Sequence, residues 1–521
     1  MTVKKKRKPI NKKFMPKRAC LKVNFLKKLF QTFGIAFFIL MSVQAFPSNK
    51  NFQESERIRS AYRSLTALDL DKAYAEIEVG KRLEPDNKLY VLLENYLDFF
   101  KIFTLEDESY FHYAKTKKDQ RLAQISNANE NSPYYLYAKA EINIQWAFSR
   151  LRFREYWTAA WELRRAYRML EKNIQLYPDF QPNLKSHSLI RVLAGSIPER
   201  YHWIIGVFGI SPDLQGGISQ LENLVHSEKE NFLFYEESLL IYCMLLAVIE
   251  VRPVDALKVL TDKNYPSGNR TLTYFTSIHI AVLNRKNQKA TQWINELKEY
   301  YDFDNFPYLH YLDGLHELQK LNTAASVKKF NRFLETHKGR NQLKSAYQKI
   351  AWSAWVDSDT SGYLSNMELV KSEGHSDTDS DIQALSEATS GMFPHQQLLK
   401  VRLLTDGGYL KEALEVFENI FPQSLRSKKD RIEFNYRKAR IFHFAGNIPF
   451  AKRYYEITIN KGMDEEIYFA PNAALQLGLI YEKENDFKNA AFYFSLCLES
   501  PDHEYKKGLD QRAKAGLQRV K

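Results

Sequence analysis

One stretch of this chain has the residue types and the spacing of a calcium-binding loop. From Asp357 to Glu368 the sequence reads DSDTSGYLSNME, with oxygen-bearing side chains at the first, third and fifth places, Gly362 at the sixth and Glu368 at the twelfth. An EF-hand loop surrounds calcium with this spacing. The alternative is a polar turn between two repeat helices, with Trp352 in the first helix and Met367 in the second. Because this motif occurs only once and lies inside a series of repeats, we favour the turn and predict no metal site here.

Other motifs that could do chemistry are missing from the sequence. It contains no glycine-rich phosphate loop and no Gly-x-Ser-x-Gly turn, and His316-Glu317 is followed by Leu-Gln-Lys rather than by the second His of a zinc motif. The 12 His residues are scattered singly, and lone histidines are usually surface or satisfied core groups. We therefore expect neither catalysis nor a cofactor.

The first 45 residues have the three parts of a secretory signal. They carry 10 Lys and 2 Arg with no acid, followed by the apolar run FGIAFFILM and a small-x-small site that ends at Ala45. The run is short for a membrane helix, which needs about 20 residues. We therefore predict a cleaved signal peptide at 1–45 and export to the periplasm or outer membrane. An uncleaved anchor is the alternative, and Met15 is a second candidate start.

Removing this leader removes the basic character of the chain. The net charge of +13 falls to 63 basic against 62 acidic residues, so the body lacks the charge excess that a nucleic-acid-binding protein needs. The most apolar later stretch, Leu239–Ile249, has the length of a buried core helix and is too short to span a membrane. Cys243 and Cys497 lie in apolar helical contexts, and we expect buried thiols rather than a disulfide.

Small and aromatic residues recur at a fixed spacing in the C-terminal half. The pattern occurs in four copies: Gly478, Tyr481, Ala490 and Phe494; Ala439, Phe442, Ala451 and Tyr455; Leu404, Ala413 and Phe417; and Gly314, Ser326 and Phe330. Small residues suit the close crossing of two helices, and aromatic residues fill the space between hairpins. The pattern predicts helix-turn-helix units, with Gly446-Asn447 as one turn and Asp486 as an N-cap.

This pattern resembles the tetratricopeptide (TPR) repeat family, although the separations of 38 and 39 residues between Ala413, Ala451 and Ala490 exceed the family's period of about 34. The resemblance implies an all-α, right-handed α-solenoid of helical hairpins with a concave groove for a protein or peptide. Residues 130–500 also resemble the TPR-like family linked in eukaryotes to inclusion-body clearance. That resemblance is carried by Pro198, Phe208-Gly209, Gly217-Ile218 and the segment DGGYLKEALEVF. Those relatives lack a leader, so their cellular role is not transferred.

The N-terminal half also predicts hairpins, though less regular ones. The predicted helices are Glu54–Leu68, Asp71–Leu83, Pro133–Arg150 and Tyr156–Leu176. We interpret Trp146, Trp157 and Trp161 in the longer hairpin as core residues because of their helical spacing, and Ser372–Ser386 as a mobile loop. The predicted organisation is N-terminal hairpins at 46–190, an irregular helical segment with weak repeats at 191–300, and a C-terminal TPR array at 301–521.

The first helix of each C-terminal hairpin is expected to line the concave groove. Its exposed side chains would be Arg402, Tyr436, Arg440, His443 and Glu482, or these would be ordinary solvated groups. We expect an exported scaffold that mediates protein–protein interactions in the cell envelope. The alternative is a glycan- or small-ligand-binding helical protein of the periplasm or outer membrane that uses its Tyr and Trp residues for stacking.

Overall fold

A computed structural model describes residues 51–197, 209–227, 232–268, 270–503 and 505–520. The predicted leader at 1–45, and Pro198 and Phe208 of the resemblance, lie outside these residues. Within the described ranges the chain is all-α and contains no strand, and consecutive helices pack as pairs, as the predicted solenoid requires.

The N-terminal half confirms the predicted hairpins to within a few residues at each end. In chain order its helices are α1 (Glu56–Thr66), α2 (Leu70–Leu83), α3 (Leu89–Leu105), α4 (Glu108–Lys115), α5 (Lys118–Ser126), α6 (Pro133–Arg152), α7 (Tyr156–Leu176), α8 (Gln181–Ser196), α9 (Leu214–His226), α10 (Tyr235–Val248), α11 (Pro253–Asp262), α12 (Thr271–Leu283) and α13 (Asn287–Lys298). A 3₁₀ turn, Phe303–Asn305, leads to the second half.

The C-terminal half continues with the same helix-turn-helix units. Its helices are α14 (Tyr308–Gln319), α15 (Thr323–Thr336), α16 (Leu343–Val356), α17 (Thr360–Ser372), α18 (Asp379–Ser390), α19 (Gln396–Gly407), α20 (Leu410–Glu418), α21 (Lys428–Phe444), α22 (Ile448–Gly462), α23 (Phe469–Lys483), α24 (Phe487–Leu498) and α25 (Lys506–Arg519). A 3₁₀ turn, Pro422–Ser424, separates α20 from α21.

The small-aromatic spacing has a direct steric cause. A Cβ placed on Gly478 would lie 2.5 Å from the ring of Phe494, and one on Gly314 would lie 3.2 Å from the ring of Phe330. The aromatic side chain of the second helix therefore occupies the space above the small residue of the first helix. The predicted cap is also present, because Asp486 accepts a hydrogen bond from the Asn489 amide at 3.2 Å.

Repeats that are far apart in the sequence also contact one another. The turn between α3 and α4 meets the loop after α15, where Asn341 donates to Glu106 at 3.0 Å and Lys338 pairs with Asp107 at 3.1 Å. At the C-terminus, Arg519 lies 3.4 Å from Glu250. In an open solenoid each repeat contacts only its neighbours. This superhelix instead folds back on itself.

A buried ion pair holds the N-terminal hairpins together. The Lys185 ammonium on α8 lies 3.1 Å from both Glu141 of α6 and Glu237 of α10. The hydroxyls of Tyr96 and Tyr62 donate to Glu237 at 2.9 and 2.8 Å. Burial raises the pKa of Glu237, although the charge of Lys185 opposes this. These contacts satisfy the charge of a lysine that would be costly to bury alone.

The prediction of a loop over Ser372–Ser386 is wrong in its second half, because α18 begins at Asp379. Thr378 caps the helix by accepting from the Asp381 amide. Asp381 in turn accepts from the backbone amides of Gln342 and Ser345 at 2.8 and 3.0 Å. Thr378 and Asp381 therefore act as capping groups, whereas the composition of the segment alone suggested a solvated loop.

Cys243 on α10 and Cys497 on α24 are both buried and free, in agreement with the prediction. Burial raises the pKa of each thiol to about 12. In the described part of the chain, no helix combines the length and apolar character needed to cross a membrane.

Candidate functional site

Four of the five predicted partner-binding residues lie together, but not on an open surface. Arg402 comes from α19, and Tyr436, Arg440 and His443 come from α21. The expectation of exposure is wrong for Tyr436 and Arg440, which are only 1% and 8% exposed. Tyr436 packs against the rings of Tyr455 and Phe469 on the next two helices, and Arg440 donates to Asp406 of α19.

Glu482, the fifth residue, lies apart from the others on α23. Its two carboxylate oxygens accept from Arg519 of α25 at 2.6 and 2.9 Å. Because Arg519 also approaches Glu250, Glu482 belongs to the contact that closes the superhelix.

A group of charged side chains surrounds Arg402 and Arg440. We call Arg285, Arg402, Asp406, Arg440 and Phe444 the inner cluster. Arg440 Nη2 donates to Asp406 Oδ1 at 3.1 Å, whereas Arg402 Nε is 3.9 Å from Asp406 Oδ2. The guanidinium of Arg285 stacks on the Phe444 ring at 3.6 Å, and that of Arg440 lies 4.6 Å from the same ring.

The inner cluster holds three guanidinium groups around one carboxylate, so two positive charges are in excess. Burial raises the pKa of Asp406, but the charges of Arg440 and Arg402 outweigh burial and hold this pKa below its usual value. Burial, followed by the charge of Arg440, lowers the pKa of Arg285 to about 9. Contacts within the protein therefore replace only part of the solvation that the Arg285 guanidinium would have in water.

His443 lies beside the inner cluster as a neutral group. Burial, followed by the charges of Arg440 and Arg285, lowers its pKa to about 4. Its Nδ1 is 3.1 Å from the hydroxyl of Tyr455. His443 therefore adds no further positive charge near pH 7.

A second surface of interest lies at the turn between α6 and α7. Trp146 is buried as predicted, but the interpretation of Trp157 and Trp161 as core residues is wrong: they are 73% and 52% exposed. The buried face of α7 is formed by Ala159, Glu162, Ala166, Tyr167, Leu170 and Asn173. Trp157 and Trp161 share the opposite face with Arg165, because these residues are four apart on the helix. We call Tyr156, Trp157, Trp161 and Arg165 the aromatic corner.

Two cavities border the aromatic corner, and they differ in chemistry. The first, about 490 Å³, has an apolar wall of Phe99, Phe103 and Phe148, with Leu151 and Tyr156 at its edge. The second, about 390 Å³, contacts Trp161 and is lined by four basic and two acidic side chains. These charged residues are Lys115, Lys118, Asp119, Arg150, Glu162 and Arg165.

Part of the charge in the second cavity is paired internally. Buried Glu162 accepts from Lys118 and, at 2.9 Å, from Arg150 Nε. Lys115 pairs with Glu155 at the edge of the cavity. Burial lowers the pKa of Lys118 despite the attraction of Glu162. Arg165 remains exposed at the rim, so the cavity offers a positive edge beside an accessible indole ring.

A possible cation-binding group also occurs on α14. One ligand atom each from Asp313, His316 and Glu317 lies within 4.8 Å of the others. However, Asp313 Oδ2 is 2.8 and 2.9 Å from the ammonium groups of Lys298 and Lys329. A cation would have to displace both lysines, so this arrangement fits a structural ion-pair group better than a metal centre.

The calcium-like stretch forms a tight turn, as favoured from the sequence. Helix α16 ends at Val356 and α17 begins at Thr360, which places Glu368 within a helix. Asp359 Oδ1 accepts from the Gly362 amide at 2.9 Å and caps α17. The twelve residues therefore do not adopt the loop by which an EF-hand surrounds its ion.

No protein-family model matches the chain, and no curated protein matches its sequence. The resemblance to tetratricopeptide repeats therefore remains a prediction.

Sequence reasoning missed Arg285, Asp406 and Phe444. Arg285 lies in the turn between α12 and α13, more than a hundred residues before the others, and no local pattern connects it to them. The sequence of α7 contains a pattern from which the exposure of Trp157 and Trp161 could have been predicted. Alanines and leucines on α7 mark one buried stripe, and the tryptophans interleave with arginines instead.

Proposed function

We propose that this chain is an exported TPR-type scaffold that binds an acidic segment of a protein partner in the cell envelope through its aromatic corner. The observation that carries the proposal is the exposure of Trp157 and Trp161, of which Trp161 lines the second cavity, next to Tyr156, which lines the first. Neighbouring exposed apolar residues that are rimmed by polar side chains often mark a binding surface. Trp, Tyr and Arg are also the residues that contribute most to protein–protein interfaces.

Charge complementarity favours an acidic partner. The second cavity has more basic than acidic lining residues, and Arg165 stands exposed one helical turn from Trp161. An acidic side chain from a partner would meet this rim, while an apolar or aromatic side chain would enter the cavity walled by Phe99, Phe103 and Phe148. Such a surface combines orientation by charge with burial of apolar area.

A glycan is the second candidate ligand, because an exposed indole such as Trp157 can stack on a sugar ring as it can pack on a peptide side chain. The glycan needs no charge complementarity. The two candidates therefore differ in how binding should depend on salt, since screening weakens contacts between exposed charges.

The binding experiment uses the chain from Phe46 to Lys521. Crosslinking in envelope fractions identifies a stoichiometric partner, and calorimetry with that purified partner gives the affinity. The double variant Trp157→Ala/Trp161→Ala is expected to weaken binding by roughly a hundredfold, as loss of two interface anchors does. The control, Phe492→Ala, removes a ring that is 59% exposed on a different repeat and should not change binding.

Equal affinity for the double variant and the parent chain would contradict the proposal. Binding that is indifferent to salt, together with stabilisation by sugars that is lost in the double variant, would favour the glycan candidate. Export has its own test, which is N-terminal sequencing of the chain recovered from envelope fractions. A mature chain that starts at Phe46 supports it, whereas one that retains Met1 or Met15 contradicts cleavage.

A further inference from the structure

Arg285 is a cation without a polar partner in the described part of the chain. Its Nε is buried and makes no hydrogen bond, and its guanidinium carbon lies 3.6 Å from the centroid of the Phe444 ring. Stacking on a ring replaces only part of the solvation that a guanidinium has in water. Arg285 therefore retains donors that an oxygen-rich ligand would satisfy.

Arg440 is in a similar position although it has one partner. It is 8% exposed, and its Nη2 donates to Asp406 at 3.1 Å. Its Nη1 reaches the Tyr436 hydroxyl only at 3.5 Å, and its buried Nε has no partner. One carboxylate oxygen thus serves a group that carries five donors.

Arg437, on the same helix, shows what full pairing looks like in this protein. Its Nε and Nη2 both donate to Glu433, at 3.0 and 2.7 Å, and Nη2 also reaches the Tyr468 hydroxyl at 3.1 Å. A structural arginine in this array therefore has its own carboxylate and a hydroxyl. Among the described residues Arg285 has neither partner, and Arg440 shares Asp406 with Arg402 and reaches the Tyr436 hydroxyl only at 3.5 Å. This incomplete pairing distinguishes the inner cluster from an ordinary buried ion pair.

The guanidinium groups of Arg285 and Arg440 are neighbours at the Phe444 ring. The guanidinium carbons of Arg285 and Arg440 lie 3.6 and 4.6 Å from the centroid of the Phe444 ring, so they are at most about 8 Å apart. Solvent reaches the cluster, since the side chains of Asp406 and Arg402 are 35% and 21% exposed. Two guanidinium charges within this distance both attract an anion that enters the cluster.

We propose that the inner cluster is an oxyanion-binding site, in which Arg285 and Arg440 hold a phosphate or carboxylate group and Arg402 supplies a third positive charge. Asp406 is the competing anion that partly neutralises the site when it is empty. This site is separate from the aromatic corner and does not depend on the proposed partner. Its ligand is defined by chemistry: a compact anion with several oxygens, matched to forked donors.

The test is calorimetric titration of the chain from residue 46 to 521 with inorganic phosphate, and separately with acetate, at constant ionic strength. We expect saturable binding of at least one anion. Arg440→Gln and Arg285→Gln should each weaken it by roughly tenfold or more, because each loses charge-assisted hydrogen bonds. The preferred anion shows whether the site suits a phosphate group or a carboxylate.

Two further variants keep the test decisive. Asp406→Asn removes the competing charge and should tighten anion binding, the opposite sign to the arginine variants. Arg332→Gln is the matched control, because Arg332 is exposed and pairs with Asp304 away from the cluster; it should leave binding unchanged. If circular dichroism shows that Arg440→Gln does not fold, the anion affinities of Arg285→Gln and Asp406→Asn still test the site. Absence of saturable binding of both anions, equal weakening by Arg332→Gln, or weaker binding by Asp406→Asn would overturn the site.

Discussion

The inner cluster and the aromatic corner are built from similar residue types, aromatic rings and arginines on repeat helices, but they have opposite surroundings. In the inner cluster, Arg285 from the α12–α13 turn packs on Phe444 of α21, so distant repeats cover the side chains. At the aromatic corner, Trp157 and Trp161 lie on the outward face of α7 and remain open. Packing against other helices, rather than residue type, therefore distinguishes the two regions.

Truncating one aromatic residue beside the inner cluster and one at the aromatic corner should separate the two regions most strongly. Tyr436 is 1% exposed and packs on Phe469, with ring centroids 5.3 Å apart. Tyr436→Ala should therefore lower the free energy of unfolding by about 3–5 kcal/mol through cavity formation. Trp157→Ala should change it by less than about 0.5 kcal/mol. Urea denaturation measures both, and a similar loss for the two variants would mean that the regions do not differ in burial.

The closing contact gives a second, smaller difference. Glu250 is 2% exposed on its side chain and accepts from Gln215 at 3.1 Å and from Arg519 at 3.4 Å. Arg519→Ala leaves this buried carboxylate with the amide alone, and we expect a loss of about 2 kcal/mol. Arg165→Ala at the aromatic corner should cost less than about 0.5 kcal/mol. An Arg519→Ala chain as stable as the parent would show that the contact does not hold the superhelix closed.

The positive charge of the inner cluster should also affect the pH dependence of stability, through the buried Lys349 of α16. Burial, followed by the charge of Arg402, lowers the pKa of Lys349 to about 7 from 10.5. Between these values the unfolded chain binds more protons than the folded chain, so this lysine makes the free energy of unfolding rise from pH 7 to pH 10. Lys349→Met should reduce that rise, as urea denaturation at pH 7 and pH 9 can show. An unchanged pH dependence in the variant would contradict the assignment.

The sequence was a good guide to contacts within a hairpin. The spacing of Gly478 and Phe494 identifies the crossing of α23 and α24, because the ring needs the space that a Cβ would take. The position of Asp486 before an apolar helix identifies the cap. These interactions join residues close in the chain, and their geometry follows from helix periodicity and capping.

Contacts between distant repeats could not be predicted in the same way. Nothing near Arg519 indicates that it meets Glu250, and nothing near Arg285 indicates that it meets Phe444. Tyr436 and Arg440 were expected to be exposed, but they are buried, and exposure inside a solenoid depends on how tightly its repeats curve. That property is a sum of small rotations over many repeats, which no local pattern fixes.

The contrast between the two regions can be measured directly by hydroxyl-radical footprinting of the chain from residue 46 to 521, read out residue by residue by mass spectrometry. We predict fast oxidation of Trp157 and Trp161, and protection of Tyr436 and of the neighbouring buried Tyr455. Comparable oxidation of Tyr436 and Trp157 would contradict the burial of the side chains beside the inner cluster and the exposure of the aromatic corner.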